Sequence, residues 1–237
     1  MQPIQERKVH GVAVFDFDGT SIGGQSGSLF TRYLFRSHIM SLRSLVRLIW
    51  WGVRYELHLP YRQGEARELV FGALEGMSAR EVDALMERFH DEMLAPLYRP
   101  CALEEVRRCH ERGLVVLLVS ATFEPIAALG AKTMGADGFA ATRMKRDAAG
   151  GYAGCVEGPV VAGAEKYRAV ARWCDERLGP GNWSLEAAYG DHHTDVDLLA
   201  RARRAYAVCP GKTLSAVARN NGWPILDWDA KAAPGRS

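Results

Sequence analysis

The stretch that decides the fold is Val12-Ala-Val-Phe-Asp-Phe-Asp-Gly-Thr20, in which an apolar run ends in two aspartates and a glycine. A short apolar run closed in this way is typical of a buried strand that leads into a polar loop. Three similar runs follow along the chain, at 114–119, 185–189 and 205–209. Helical patterns lie between and after these runs, at 124–135, 163–178, 195–203 and 212–221. Strands that alternate with helices predict an α/β fold with a parallel sheet and helices on both faces.

Two longer segments interrupt this alternation. Residues 139–161 are rich in Gly and Ala, with the turn sequence Ala148-Ala-Gly-Gly151, and predict a hairpin or a loose β excursion. A larger insert carries helical patterns that break at Pro60, Gly76 and Pro96 and that lie at 28–57, 62–75 and 78–94. We interpret this insert as a helical cap between the first and second strands. The predicted organisation is a core made of 1–25 and 101–230, a cap at 26–100 and a disordered tail at 231–237.

Length and composition place the chain among soluble globular proteins and exclude several functions. The 237 residues carry 30 Lys and Arg against 28 Asp and Glu, and this net charge of +2 argues against nucleic-acid binding. No apolar run approaches the ~18 residues of a membrane-spanning helix. Residues 1–9 lack the apolar core of a secretion signal, and the five cysteines lack metal-site spacing, which favours reduced thiols. We therefore predict a cytoplasmic protein.

Carboxylates at the strand ends predict a site for a hard divalent cation. Asp16 and Asp18 stand two residues apart, and they would point broadly the same way if the strand geometry continued. Like charges this close require a cation or a proton, and Asp191 could complete an oxygen-only ligand set that favours Mg²⁺. The adjacent His192-His193 pair suggests a transition metal, but successive residues rarely bind one ion and the other ligands would all be oxygen. We therefore predict Mg²⁺, with all three aspartates as its ligands.

The same groups could transfer a phosphoryl group through a covalent aspartyl phosphate. Asp16 would attack phosphorus, while Asp18 would protonate the leaving oxygen and then take a proton from the attacking water. Ser120 could supply a hydroxyl with a backbone N–H beside it, and Lys166 could supply an ammonium for the charge on the phosphoryl oxygens. The residues predicted to surround the phosphate are Gly19, Thr20 and Ala121.

Each of these residues has a simpler interpretation when it is taken alone. The Asp-X-Asp-Gly-Thr string could be a turn or a calcium loop. Ser120 could be a helix N-cap, Lys166 a solvated lysine, and Asp195 a residue near the positively polarised start of a helix. Their order and placement favour catalysis, because each group follows a strand or stands early in a helix.

Four short motifs resemble those of the haloacid dehalogenase-like (HAD) superfamily: Asp16-Phe-Asp-Gly-Thr20, Val119-Ser-Ala-Thr122, Lys166 and Gly190-Asp-His-His-Thr-Asp195. The insert resembles the C1 cap of subfamily IB, the phosphoserine-phosphatase-like branch, and the sequences at 207–214 and 222–228 are also similar to that branch. The resemblance implies a Rossmann-like core, Mg²⁺ dependence and hydrolysis of a small or lipid-derived phosphomonoester. It also implies that Asp18 offers its backbone carbonyl to the metal, and we assign Asp195 a supporting role.

Two positions depart from the pattern of phosphoserine phosphatases. Those enzymes carry a Glu after the first motif that helps to recognise the substrate's amino group, and the matching residue here is Gln25. A neutral amide offers no full charge to an ammonium, so Gln25 is a substrate-binding candidate that puts phosphoserine itself in doubt. The second departure is the sequence His192-His193-Thr194, which could narrow the site mouth or place a titratable group beside it.

The insert also carries a stripe of arginines, spaced 4, 7, 4 and 7 residues apart: Arg32, Arg36, Arg43, Arg47 and Arg54. On a continuous helix they would fall within a sector of about 60°. An apolar, Trp-bearing helix with such a stripe could lie on anionic lipid or guide an anionic substrate. The simpler interpretation, which we favour from the sequence, is a cap helix with one solvated face, and the segment 37–41 could break that helix.

Two other functions are open alternatives to hydrolysis of a small-molecule phosphomonoester. The same chemistry could pass the phosphoryl group to an acceptor alcohol, which would make the protein a phosphotransferase. The fold could also serve as a non-catalytic binder of a phosphate ligand. The presence of each expected polar group favours an enzyme.

Overall fold

A largely parallel sheet forms the centre of the molecule in the computed structural model, which describes residues 9–57, 65–148 and 150–229. The strands are β1 (His10–Asp16), β2 (Val115–Phe123), β3 (Gly138–Arg146), β4 (Tyr152–Glu157), β5 (Trp183–Gly190), β6 (Arg204–Val208) and β7 (Ile225–Leu226). Within the described residues their order is β4-β3-β2-β1-β5-β6-β7, and only β4 runs antiparallel to its neighbour. The predicted α/β class with a Rossmann-like core is therefore confirmed.

Helices cover the sheet and form the insert between β1 and β2. They are α1 (Ser26–Arg36), α2 (Leu42–Glu56), α3 (Glu65–Phe71), α4 (Ala79–Phe89), α5 (Pro100–Glu111), α6 (Glu124–Met134), α7 (Ala164–Leu178), α8 (Val196–Leu199) and α9 (Lys212–Asn221). In the part of the chain that the structure describes, no helix combines the length and apolar character needed to span a bilayer.

β1 lies in the middle of the sheet. This position suits it because its side chains are apolar on both faces. Residues Val12–Phe15 are fully buried, and alternate side chains enter two separate apolar clusters, one on each side of the sheet. β1 pairs in parallel with β2 and β5, and the register places Asp16 beside Val119 and Phe15 beside Tyr189. The carboxyl ends of these three strands therefore meet at one edge, where open parallel sheets bind their ligands.

The predicted core elements are present, with two differences. The helix predicted over 195–203 is wrong in length, because α8 ends at Leu199 and the N–H of Arg203 already donates to the carbonyl of Leu185 in β5, at 2.9 Å. The excursion predicted at 139–161 is the hairpin β3–β4, but β3 also pairs with β2 and so extends the main sheet.

The insert is helical as predicted, but the pattern over 28–57 forms two helices rather than one. α1 ends at Arg36, and His38 adopts a left-handed backbone with φ of 57°, which interrupts the helix. The hydroxyl of Ser41 then caps α2 by accepting a hydrogen bond from the N–H of Ser44, at 3.1 Å. The arginine stripe is therefore divided between two helices.

Aromatic rings pack the insert against the end of β2. The ring of Phe123, the last residue of β2, lies 3.6 Å from that of Phe71 and 6.1 Å from that of Phe30, between centroids. These rings belong to a buried cluster that also contains side chains of β1. The insert therefore packs over the carboxyl edge of the sheet. The domain boundaries at 25/26 and 100/101 stay predictions. The predicted tail at 231–237, residues 1–8 and the segment 58–64 lie outside the described residues.

Candidate active site

Polar side chains from four separate segments line one cavity at the carboxyl edge of the sheet. Asp16 ends β1, Ser120 lies in β2, Asp191 follows β5 and Lys166 lies in the first turn of α7. The cavity has a volume of about 630 Å³, and residues of the insert line its other wall. The fold thus brings together groups that the sequence analysis selected from distant parts of the chain.

Lys166 provides a positive charge at the base of this cavity. Its ammonium donates to Asp16 Oδ1 and to Asp195 Oδ1, both at 2.5 Å, and all three side chains are almost fully buried. Burial opposes the charge on Lys166, but the two carboxylates more than offset this effect and raise its pKa above the ordinary value. Lys166 is therefore a fixed cation beside Asp16 rather than a group that exchanges protons near neutral pH.

Three carboxylates surround this ammonium. Oxygens of Asp16, Asp191 and Asp195 all lie within 4.8 Å of one another. The hydroxyl of Thr20 donates to Asp16 at 3.4 Å and to Asp191 at 3.3 Å. Burial raises the pKa of Asp16 well above its usual range, Lys166 partly offsets this, and the two other carboxylates raise it further. When all three carboxylates are ionised, three negative charges and one positive charge leave an excess of two, which suits a divalent cation.

Asp195 orients this cluster. Its Oδ1 binds Lys166, and its Oδ2 accepts hydrogen bonds from the backbone N–H groups of Asp191 and His192, at 3.2 and 3.0 Å. Because both oxygens of Asp195 are already engaged, Asp16 and Asp191 are the better candidates for carboxylate ligands of a metal ion. The supporting role assigned to Asp195 stays a prediction.

Gly19 is required by the close approach of the loop after β1 to Asp191. Its φ is +78°, in the region that favours glycine. A Cβ at this position would lie 2.1 Å from Asp191 Oδ2, which is far inside contact distance. Both the backbone conformation of Gly19 and its distance from Asp191 therefore exclude a side chain at this position.

Asp18 lines the same cavity, but Ser26 engages its carboxylate. The chain leaves strand geometry after Asp16, and the N–H of Ser21 donates to the carbonyl of Phe17 in a turn, at 3.0 Å. Asp18 accepts hydrogen bonds from the backbone N–H of Ser26 at 2.6 Å and from its hydroxyl at 2.9 Å. The strand geometry therefore does not continue to Asp18, and its role as a metal ligand stays a prediction.

Sequence analysis missed Ser26, which begins α1 and holds Asp18. Its hydroxyl also lies 2.8 Å from that of Thr122, so it ties the loop after β1 to the end of β2. Burial raises the pKa of Asp18, and the two hydrogen bonds from Ser26 partly offset this effect. A carboxyl group with a raised pKa is suited to carry a proton for catalysis.

The end of β2 is held in place by hydrogen bonds around Ser120 and Ala121. The Ser120 hydroxyl oxygen accepts from the N–H of Thr122 at 3.0 Å, while its side chain is almost fully buried beside the cavity. The carbonyl of Ala121 accepts from the Thr142 hydroxyl and from Nε of Arg67, both at 3.0 Å. The predicted phosphate-binding segment is therefore fixed from both sides.

Arg67 reaches the cavity from α3 and was also missed. Its link to Ala121 joins the insert directly to the core, and burial lowers its pKa while Asp18 opposes that effect. An arginine remains charged despite such a shift. In the sequence, Arg67 stands between Glu65 and Glu68 like any solvated helix residue, so nothing local could have distinguished it.

Gln25 and His192 are exposed residues that line the outer part of the cavity. Gln25 directly precedes α1. The ring of His192 lies 4.0 Å from that of His193 between centroids, and its Nδ1 is 3.1 Å from the Thr194 hydroxyl. Burial and the neighbouring His193 lower the pKa of His192, which favours its neutral form at neutral pH.

Arg99, a third residue that sequence analysis missed, clamps the loop after β1. This buried guanidinium donates to the carbonyl oxygens of Gly19 and Thr20 in that loop. Its other side forms a bidentate pair with Asp229, at 2.7 and 2.8 Å. The loop that carries Gly19 is therefore tied to the end of the described chain.

The parallel sheet, the carboxylates at its edge and the helical insert define the molecule as an α/β protein with an acidic site at the carboxyl ends of its strands. It belongs to the haloacid dehalogenase-like hydrolases, because the model of that family matches residues 13–200. This match confirms the resemblance seen in the four motifs.

Individual relatives refine this placement. Phosphoserine phosphatase SerB1 of Mycobacterium tuberculosis (strain H37Rv) is 29% identical over 221 residues, which cover 91% of this chain and 70% of that protein. A protein of unknown function from Bordetella pertussis Tohama I is similar in structure, with a TM-score of 0.84, 26% identity and coverage of 93% of this chain and 99% of that one. A phosphoserine phosphatase with a phospho-aspartyl intermediate analogue matches with a TM-score of 0.60 at 18% identity, over 92% and 93% of the two chains. The chain is therefore an enzyme with the fold of the phosphoserine-phosphatase-like phosphatases.

Proposed function

We propose that this phosphatase hydrolyses a phosphomonoester through a phosphoryl group carried on Asp16, with Mg²⁺ as cofactor. The observation that carries the proposal is the 2.5 Å contact between Asp16 and Lys166 at the base of a cavity that Asp191 also lines. The similarity to proteins named as phosphoserine phosphatases supports the same reaction class.

Asp16 is the nucleophile in this scheme. One carboxylate oxygen attacks phosphorus, a bond forms between them, and the bond from phosphorus to the ester oxygen breaks. Lys166 restrains the other oxygen of the carboxylate, Oδ1, so that the attacking group does not have to be oriented anew at each turnover.

Asp18 is the general acid and then the general base. Burial favours its protonated form, so it can donate a proton to the departing ester oxygen. The resulting carboxylate then takes a proton from the water that attacks the phosphoryl group on Asp16. The two hydrogen bonds from Ser26 hold the carboxyl group in one orientation during both steps.

Lys166, Ser120 and Ala121 stabilise the phosphoryl oxygens. The ammonium offers positive charge, and the hydroxyl of Ser120 and the backbone N–H of Ala121 offer hydrogen bonds at the end of β2. Such donors act strongly in a site from which water is largely excluded, because there they face charge that develops in the transition state.

The residues present fit Mg²⁺. Asp16 and Asp191 would hold it with their carboxylates and Asp18 with its carbonyl, and an all-oxygen set of this kind suits a hard cation. When bound, the ion supplies positive charge that offsets repulsion between the phosphate and the carboxylates, and it helps to align the reacting groups.

The wall formed by the insert indicates which leaving group the cavity accepts. Leu48, Trp51 and Val70 present an apolar surface there, and Arg67 adds a positive charge. Among the described residues that line the cavity, every carboxylate belongs to the group of Asp16, Asp18 and Asp191 at the sheet edge. We therefore propose a small ester with an apolar leaving group and an anionic substituent, rather than one that is recognised through an ammonium.

The test is release of phosphate from an aryl phosphate with and without Mg²⁺. We expect Asp16→Asn to lower turnover by about a thousandfold or more, because an amide oxygen is a poor nucleophile for phosphorus. Brief incubation with radiolabelled substrate, followed by acid quench and peptide mapping, should place the label on the peptide that contains Asp16.

Asp197→Asn is the matched control, since this exposed aspartate lies in α8 next to the fourth motif. It should retain normal turnover. Retained turnover in a clean preparation of Asp16→Asn, or label on another peptide, would contradict the proposal.

A further inference from the structure

The outward face of α2 is apolar. Among the described residues, nine large apolar side chains are strongly exposed, and six of them lie on α2 or on the residue that follows it: Leu42, Val46, Ile49, Trp50, Val53 and Leu57. Their exposed fractions range from 39% for Val53 to 67% for Leu42. Leu57 continues the helical pattern, because its N–H donates to the carbonyl of Val53 at 3.0 Å.

These six side chains form one continuous surface, called here the apolar arc. At about 100° per residue they occupy a sector of only about 100° around the helix. Arg43, Arg47 and Arg54 occupy the next 60° or so on one side of the arc. The opposite face carries Leu48 and Trp51, which line the cavity. The same helix therefore faces the site on one side and solvent on the other.

The charge around the apolar arc is mostly positive, and Glu56 is the one acid among residues 26–57. Residues 26–55 contain five arginines and no aspartate or glutamate. Arg54 pairs with Glu65 at 2.7 Å, whereas Arg32, Arg36, Arg43 and Arg47 are exposed. A solvated polar face, which we favoured from the sequence, does not account for six apolar side chains in the same region.

We propose that the apolar arc docks on an anionic lipid bilayer, with α2 lying in the plane of the interface. A helix with an apolar face, a tryptophan and flanking arginines binds such surfaces by inserting the apolar side chains among the acyl chains. The arginines then lie at the level of the headgroups, where each interacts favourably with anionic lipid.

Charge also distinguishes this partner from a second copy of the chain. A two-fold contact through the apolar arc would use the same patch on both subunits. It would then bring together two segments 26–56 that each carry five arginines and a single acid, Glu56, so positive charge would remain in excess on both copies. An anionic bilayer supplies the missing charge.

The test is co-sedimentation with vesicles of phosphatidylcholine alone and of phosphatidylcholine mixed with phosphatidylglycerol. We expect the full chain to pellet only with the mixed vesicles and to be released at high salt, which screens the arginines. Binding is measured without substrate, so it succeeds or fails independently of the proposed reaction.

Variants assign the binding to α2. Replacing Ile49 and Trp50 together by serine should weaken binding at least tenfold, because both side chains lose their apolar area. Arg43→Gln and Arg47→Gln should each cost about fivefold. Arg80→Gln and Arg88→Gln on α4 are the matched controls, since these arginines are exposed outside the apolar arc. They should bind as the parent chain does.

Three results would overturn the proposal. The first is equal recovery in the supernatant with both vesicle types, and the second is full binding by the Ile49 and Trp50 double variant. The third is light scattering that shows a dimer which Ile49→Asp converts to a monomer, because the apolar arc would then be covered by a second copy.

Discussion

The two walls of the cavity are built on different principles. On the sheet side, Asp16, Asp18 and Lys166 are each held by hydrogen bonds of 2.9 Å or less. On the insert side, the cavity surface is mostly apolar. Among the described residues of the insert that line it, Arg67 is the one with a charged side chain. The sheet side fixes charge and geometry, whereas the insert side offers shape and one cation.

We therefore expect the sheet side to determine the reaction and the insert side to determine which substrates are accepted. Changes on the sheet side should lower turnover of every phosphate ester, because all esters share the phosphoryl group. Changes on the insert side should alter which leaving groups are accepted. The following predictions test that division.

Of the three effects that follow, the largest is expected at Lys166. Lys166→Ala removes the positive charge beside Asp16 and leaves buried carboxylates unpaired, so turnover should fall by about 10²- to 10³-fold for all esters. Lys212→Ala is the matched control, since Lys212 is an exposed lysine in the first turn of α9. Initial rates at saturating Mg²⁺ check the prediction, and a near-normal rate for Lys166→Ala would show that the charge is not used.

A smaller and more selective effect is expected at Arg67. With 4-carboxyphenyl phosphate and phenyl phosphate as a matched pair, Arg67→Ala should lower kcat/KM for the carboxylated ester by about tenfold or more, because one charge-assisted contact is lost. The loss for phenyl phosphate should be smaller, because it reflects only the lost hydrogen bond from Arg67 to the carbonyl of Ala121. Equal losses for both esters would place Arg67 with the chemistry and would break the proposed division between the walls.

The smallest effect is expected at Asp229, which is mostly exposed where it pairs with Arg99. Asp229→Asn should lower the free energy of unfolding by about 0.5–1 kcal/mol at neutral pH, because Asp229 is exposed and solvent screens its side of the pair with the buried Arg99. The hydrogen bond from Arg99 lowers the pKa of Asp229 below the ordinary 3.8. The stabilisation is therefore present above pH 3.8 and is lost as the pH falls through the lower folded-state pKa. Urea titrations over this pH range measure the difference in free energy of unfolding between the parent chain and Asp229→Asn. A difference that increases as the pH falls would contradict the prediction.

The sequence predicted what depends on local pattern. The strand β1 and the carboxylates after it follow from an apolar run closed by polar residues, and Lys166 follows from its place at the start of a helix. The paired strands β3 and β4 were expected as a hairpin, but the pairing of β3 with β2 depends on contacts between distant segments. Periodicity alone does not specify such a pairing.

The residues that the sequence did not reveal act across large separations. Ser26 meets Thr122, Arg67 meets Ala121, and Arg99 meets Asp229, each pair joining the insert or its end to a distant part of the core. In a linear pattern these residues are an ordinary helix start and two ordinary arginines. Their roles arise only when the insert packs on the sheet through rings such as Phe123.

The contact between Arg99 and Asp229 has a consequence for synthesis of the chain. Every group assigned to the reaction lies before residue 196, yet the clamp on the loop that carries Gly19 ends at residue 229. A nascent chain of two hundred residues contains all the reactive side chains and Arg99, but it lacks Asp229, the acidic partner of Arg99. The loop that carries Gly19 is therefore fully braced only after residue 229 has been synthesised.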